Sequence, residues 1–127
     1  MPQSRILILE DDASLLNLYS RVLTKVGHIV FPALTLASAR EMLAREDFDV
    51  FISDIGIGSG RSLELLRQEF AGLQSKQTEI VVVSGREEAR YMCEEMGIDF
   101  FLHKPVSGPE LRTLIERLTQ RKRMTIV

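Results

Sequence analysis

Four short apolar runs in this sequence stop at residues that can do chemistry. Ile6-Leu7-Ile8-Leu9 runs into Glu10-Asp11-Asp12, Phe51-Ile52-Ser53 into Asp54, Val82-Val83 into Ser84-Gly85, and Phe101-Leu102 into His103-Lys104-Pro105. Brought together, Glu10, Asp11 and Asp54 make a cluster of carboxylates that repel one another. At about 5 Å and an effective dielectric of about 20, each charged pair costs roughly 3 kcal/mol. Such a cluster requires a cation or a proton. A small all-oxygen set beside a backbone carbonyl suits Mg²⁺, which keeps several waters and accepts phosphate as an additional ligand. The Lys104 ammonium and the Ser84 hydroxyl supply the groups a phosphoryl oxygen needs.

These residues meet only if the chain folds so that all four runs end on one edge. The periodicity predicts that arrangement. Asp49 to Asp54 is an apolar run closed by glycines, the pattern of a strand buried on both faces in the middle of a parallel sheet. A helix carries Leu15, Leu16, Tyr19, Val22, Leu23 and Val26 inward, with Asp12 or Ser14 as cap and Gly27 as stop. Ile29 to Phe31 reads as a second strand closed by Pro32, and a helix from about Leu36 to Arg45 follows with Thr35 as cap. A third helix carries Leu63, Leu66 and Phe70, with Gly72 to Thr78 a polar loop. Ile80 to Val83 is a fourth strand, Glu87 to Met96 a helix burying Ala89, Met92, Cys93 and Met96, and Phe100 to Leu102 a fifth strand. The last helix opens on Ser107-Gly108-Pro109-Glu110, a capping-box spacing, and buries Leu111, Leu114, Ile115 and Leu118. A repeated strand and helix alternation of this kind predicts a parallel sheet covered by helices on both faces. In open sheets of this class ligands bind outside the carboxyl ends of the strands, where Glu10, Asp11, Asp54, Ser84 and Lys104 all fall.

Composition narrows the function further. The chain has 127 residues, one domain's worth, and residues 1–120 read as that domain with 121–127 as a tail or the start of a linker. A formal net charge of -2 gives no electrostatic basis for direct nucleic-acid contact. The single cysteine, Cys93, excludes an internal disulfide framework, and no apolar run is long enough for a signal core or membrane span, so a cytoplasmic location is expected. Cys93 reads as a core thiol, and His103 has no second histidine or cysteine nearby with which to build a metal site.

The four motifs, in this order and each closing a strand, resemble the receiver domains of response regulators in two-component phosphorelay signalling, over Ile6 to about Leu118. The resemblance implies a doubly wound α/β fold, a five-stranded parallel sheet in the flavodoxin-like order 2-1-3-4-5 with five helices. It implies that Asp54 is the phosphoacceptor and that Asp11 and Asp54 ligate Mg²⁺ with the Gly56 carbonyl, Glu10 acting through a water. Ser84 and Lys104 would each take a phosphoryl oxygen, Phe101 would be the switch aromatic, and the Lys104-Pro105 bond would be cis. The implied partners are a sensor histidine kinase or histidine phosphotransfer protein upstream and an effector protein or tethered output domain downstream. The face made by the fourth helix, fifth strand and fifth helix would carry the output, decorated by Arg90, Glu94, Glu95, Arg112 and Glu116. The chain would not be an enzyme, promoting only its own phosphorylation and dephosphorylation.

The sequence departs from the family pattern after Asp54. Ile57-Gly58 and Ser62 stand where the family carries Met-Pro and a glycine, and a looser, mobile loop is expected there. Gly56 removes a side chain that could shield an acyl phosphate, and Arg86 could reach over it instead; both are expected to set its lifetime. Other functions fit less well. A flavin phosphate would be repelled by Glu10-Asp11, and an aspartate-nucleophile phosphatase would need a second aspartate where Gly56 stands. The remaining alternative is a receiver-like interaction module that is not phosphorylated.

Overall fold

The computed structural model describes residues 3–56 and 61–126, with side chains through residue 120. The order of elements is β1 (Arg5–Leu9), α1 (Ala13–Lys25), β2 (Ile29–Ala33), α2 (Leu36–Arg45), β3 (Val50–Asp54), α3 (Arg61–Ser75), β4 (Glu79–Ser84), α4 (Glu88–Met96), β5 (Phe100–His103) and α5 (Gly108–Ile126). The strands form one five-stranded sheet in the order β2-β1-β3-β4-β5, and every pairing is parallel. This is the doubly wound order expected.

Alternation along the strands divides the apolar residues between two faces. Leu7, Leu9, Phe51 and Val82 pack with Ala39, Leu43, Leu66, Ala89 and Cys93 from α2, α3 and α4. Ile6, Ile8, Ile52, Val81 and Val83 pack with Leu16, Tyr19, Leu23, Leu111 and Ile115 from α1 and α5. Full burial of one such side chain is worth roughly 1.5–3 kcal/mol. The three central strands are therefore apolar on both sides through their middles, and Asp54 and Ser84 close β3 and β4 at the carboxyl edge.

The caps settle one open choice. Asp12, not Ser14, caps α1, its Oδ1 accepting the Leu15 N–H at 3.1 Å. Thr35 caps α2 through the Ser38 N–H, and Ser107 caps α5 through the Glu110 N–H, both at 3.1 Å. Gly27 and Gly97 close α1 and α4 with φ of 99° and 87°, a left-handed turn that glycine adopts at least cost.

Three expectations need correction. Pro32 does not close β2 but lies within it, paired with Ile8; β2 is an edge strand, where a missing N–H is tolerated. Gly72 to Ser75 are helical, because Leu73 continues the inward stripe of Leu66 and is buried, outweighing the roughly 1 kcal/mol helix penalty of Gly72. Met92 is 38% exposed rather than inside, and α4 buries Ala89 and Cys93 instead. The backbone of α5 runs through Ile126.

Burial of Cys93 pushes its thiol up to about 11. At pH 8 only about one thiol in a thousand would be thiolate. Reaction of native protein with a disulfide reagent is expected to be at least about 100-fold slower than after urea unfolding; equal rates would show that the α4 face opens readily.

Candidate functional site

The carboxyl edge of the sheet brings the acids together through local structure. Glu10 continues β1 by one residue, its N–H donating to Ala33 O at 3.1 Å, and the residue is 1% exposed. The Glu10 Oε2 accepts the Asp12 N–H at 3.0 Å, so the first residues of the α1 turn hold it in place. Asp54 closes β3 and is 7% exposed. Its Oδ1 accepts the Gly56 N–H at 2.9 Å. Asp11 stands exposed at the rim, and each of the three carboxylates offers an oxygen within 4.8 Å of the others.

Lys104 is the cation between them. Its N–H donates to Ser84 O at 2.9 Å, extending the β4–β5 ladder beyond β5, and the Lys104–Pro105 peptide is cis as expected. From there the Nζ lies 2.8 Å from Glu10 Oε1 and 3.1 Å from Asp54 Oδ2. Burial raises the Glu10 carboxyl above its ordinary value, and the Asp54 charge adds to this against the opposing pull of Lys104 and the Asp12 N–H. Burial alone would lower the Lys104 ammonium, but hydrogen bonding and charge from Glu10 and Asp54 outweigh it and the net shift is upward. Lys104 is therefore charged at neutral pH.

A single ammonium faces three carboxylates. The edge is made only of hard oxygen donors, with the Gly56 backbone two residues beyond Asp54. Those residues fit a small hard divalent cation such as Mg²⁺, and no soft or nitrogen ligand competes among them.

The remaining expected residues take places around this centre. Ser84 is buried at the end of β4, and its Oγ accepts the Arg86 N–H at 3.1 Å. Arg86 is exposed and lines, with Ile55, Gly56, Leu63, Ala89 and Met92, a cavity of about 440 Å³ beside the acids. Phe101 is half-buried on β5 against the core, and the Arg90 guanidinium lies over its ring at 4.7 Å from the centroid. Arg90 Nε is 3.7 Å from Glu87, which also lies 3.6 Å from His103 Nε2. Arg90, Glu94, Glu95, Arg112 and Glu116 are all exposed, as expected of that face.

Two features escape sequence reasoning. The Arg90 contact with Phe101 needs the α4–β5 packing, which no spacing encodes. Ser62 reads as a mere departure from pattern, yet it is fully buried in the first turn of α3 and its Oγ–H donates to the Ile55 carbonyl. A serine among apolar helix neighbours is the signal that points to such a tether. The expected looseness at Ile57 and Gly58 lies outside the described residues.

Comparison with known proteins agrees with this geometry. Residues 6–116 match the family model of the response regulator receiver domain. The sensory/regulatory protein RpfC of Xanthomonas campestris pv. campestris is 30% identical over 113 residues, which is 84% of this chain and 15% of RpfC. The alginate biosynthesis transcriptional regulatory protein AlgB of Pseudomonas putida is 28% identical over 112 residues, 87% of this chain and 25% of AlgB. The chain thus spans about a quarter or less of these curated relatives. Among solved structures, a CheY-like receiver domain protein from Methanospirillum hungatei matches with a TM-score of 0.84 at 24% identity, over 97% of this chain and 99% of that one. The chemotaxis response regulator CheY4 of Vibrio cholerae matches with a TM-score of 0.82 at 23% identity, covering 92% and 99%. The acids, the lysine and the cis peptide stand at one sheet edge, and the family match covers most of the chain. It belongs to the response regulator receiver domains of two-component signalling.

Proposed function

We propose that Asp54 is the phosphoacceptor of this receiver domain. The observation that carries the reading is Lys104 Nζ, held between Glu10 and Asp54 while Asp11 brings a third carboxylate within 4.8 Å. An Asp54 carboxylate oxygen attacks phosphorus, a phosphorus–oxygen bond forms as the phosphorus–nitrogen bond to a donor histidine breaks, and the imidazole leaves with the bonding pair. Asp11, Asp54 and the Gly56 carbonyl would hold Mg²⁺, with Glu10 acting through a water; the ion, when bound, neutralises charge on the phosphoryl oxygens. Lys104 pairs with one phosphoryl oxygen and the Ser84 hydroxyl donates to another. The Ser84 Oγ accepts the Arg86 N–H and so keeps its own proton for that bond, and as Ser84 moves toward the phosphoryl group Phe101 turns inward behind it. Such a charge-driven rearrangement biases the α4-β5-α5 face.

The donor in this reading is a sensor histidine kinase or a histidine phosphotransfer protein. The receiver, residues 1–120 with a tail or linker beyond, signals from the cytoplasm to an effector protein or a tethered output domain without contacting nucleic acid itself. It turns over no external substrate. Borohydride reduction of the phosphorylated chain followed by peptide mapping should place a homoserine at position 54; homoserine elsewhere would contradict the assignment.

Gly56 and Arg86 set the lifetime of the acyl phosphate. A Cβ at Gly56 would lie 3.5 Å from Asp54 Oδ1, an ordinary contact, so a side chain can start there without a clash. Gly56→Asn should fold like the parent and lengthen the lifetime, whereas Arg86→Ala should shorten it severalfold. Autodephosphorylation rates followed by intact mass measure both, and an Arg86→Ala rate equal to the parent's would remove Arg86 from this role.

A further inference from the structure

We infer that Ser62 is a positioning residue for the Asp54 carboxylate, acting through the single peptide unit between Ile55 and Gly56. The Ser62 Oγ–H donates to the Ile55 carbonyl, and the N–H on the other side of that peptide bond, that of Gly56, donates to Asp54 Oδ1 at 2.9 Å. A trans peptide is planar, so fixing its carbonyl fixes the direction of its N–H. The hydroxyl of Ser62 therefore aims the donor that orients Asp54. With Lys104 Nζ at 3.1 Å from Oδ2, each carboxylate oxygen is held by its own donor.

Three features make the tether specific. Ser62 is 0% exposed and spans seven residues to reach Ile55, so it is not capping its own helix turn in the usual way. A buried hydroxyl and a buried carbonyl that satisfy each other resist exchange with water. The peptide they hold is followed by Gly56, whose backbone is the least constrained of any residue type. Linked donors also polarise one another, so the bond to Oδ1 weakens when the first link is lost.

The consequence for phosphorylation rests on Asp54 being the phosphoacceptor, while the positioning itself is read separately. Ser62→Ala, Ser62→Thr and Leu66→Val are compared with the parent; Leu66 is buried on the same helix and the variant controls for general loosening of α3. By amide NMR, Ser62→Ala should move the Gly56 N–H resonance upfield and speed its hydrogen exchange at least tenfold, Ser62→Thr should return both toward the parent, and Leu66→Val should leave the resonance in place. With phosphoramidate at saturating Mg²⁺, the phosphorylation rate should fall about tenfold in Ser62→Ala and recover in Ser62→Thr, equivalent to about 1.4 kcal/mol. A Gly56 resonance unchanged in Ser62→Ala, or moved equally by Leu66→Val, overturns the positioning role. If the parent takes up no phosphoryl group, the phosphoacceptor reading fails, and the Gly56 resonance alone decides the role of Ser62.

Discussion

Asp54→Asn is expected to abolish phosphoryl uptake while leaving the fold intact. Removal of a nucleophile costs on the order of 10⁶-fold in rate in the best-studied case, so no adduct should be detectable on any practical timescale. The fold survives because the substitution is nearly isosteric. The Asn Oδ1 can still accept the Gly56 N–H, and Lys104 keeps its partner at 2.8 Å in Glu10. Loss of one attraction, Lys104 to Asp54, is offset by relief of repulsion between Asp54 and both Glu10 and Asp11. Circular dichroism melting should therefore place the variant within a few degrees of the parent in EDTA. A variant that folds and still incorporates phosphate at a residue other than position 54 would show that another residue is the acceptor.

Lys104→Met should lower both activity and stability. Removal of one preorganised donor to developing charge typically costs about 10²–10³-fold in rate, and the phosphoryl transfer rate should fall by that much at saturating Mg²⁺. In EDTA the variant also leaves the buried Glu10 carboxylate without its counter-ion. Breaking a fully buried pair costs about 3–5 kcal/mol; Lys104 is partly exposed, so about 1–3 kcal/mol is expected by urea denaturation at pH 7. The pH dependence follows from Glu10. Its folded-state carboxyl already lies above the ordinary value through burial, and loss of Lys104 raises it further. A carboxyl raised on folding favours the folded state when protonated, and that contribution is lost as pH rises through the folded value. The gap between variant and parent should narrow at pH 5, and Mg²⁺ should narrow it at pH 7 by binding the folded variant, whose acids lack the competing ammonium, more tightly than the parent. A deficit independent of both pH and Mg²⁺ would mean that Lys104 matters through packing alone.

The parts of this structure that were legible beforehand are those governed by local pattern. Apolar runs ending in Glu10, Asp54, Ser84 and His103 already place the site, because a parallel sheet delivers all such ends to one edge. The errors share a cause: local signals that tertiary context overrides. Pro32 and Gly72 are strong breakers taken alone, but an edge strand tolerates the one and the burial of Leu73 carries the helix through the other. Met92 matches the helical spacing of the buried face, yet α4 turns it toward the cavity that it lines with Arg86. Asp12 and Ser14 are both good caps by type, and only the hydrogen bond to Leu15 separates them. Ser62, a serine among apolar helix neighbours, signals a tied hydroxyl, but its partner is a backbone carbonyl seven residues away, and sequence carries no mark of which carbonyl a hydroxyl will meet.

The most direct test of Asp54 as phosphoacceptor is the intact mass of the parent chain after incubation with phosphoramidate, in Mg²⁺ and in EDTA. A single phosphoryl adduct that forms in Mg²⁺, is suppressed in EDTA and is absent from Asp54→Asn is the result predicted. An unmodified chain in Mg²⁺, or an adduct that Asp54→Asn retains, would contradict it.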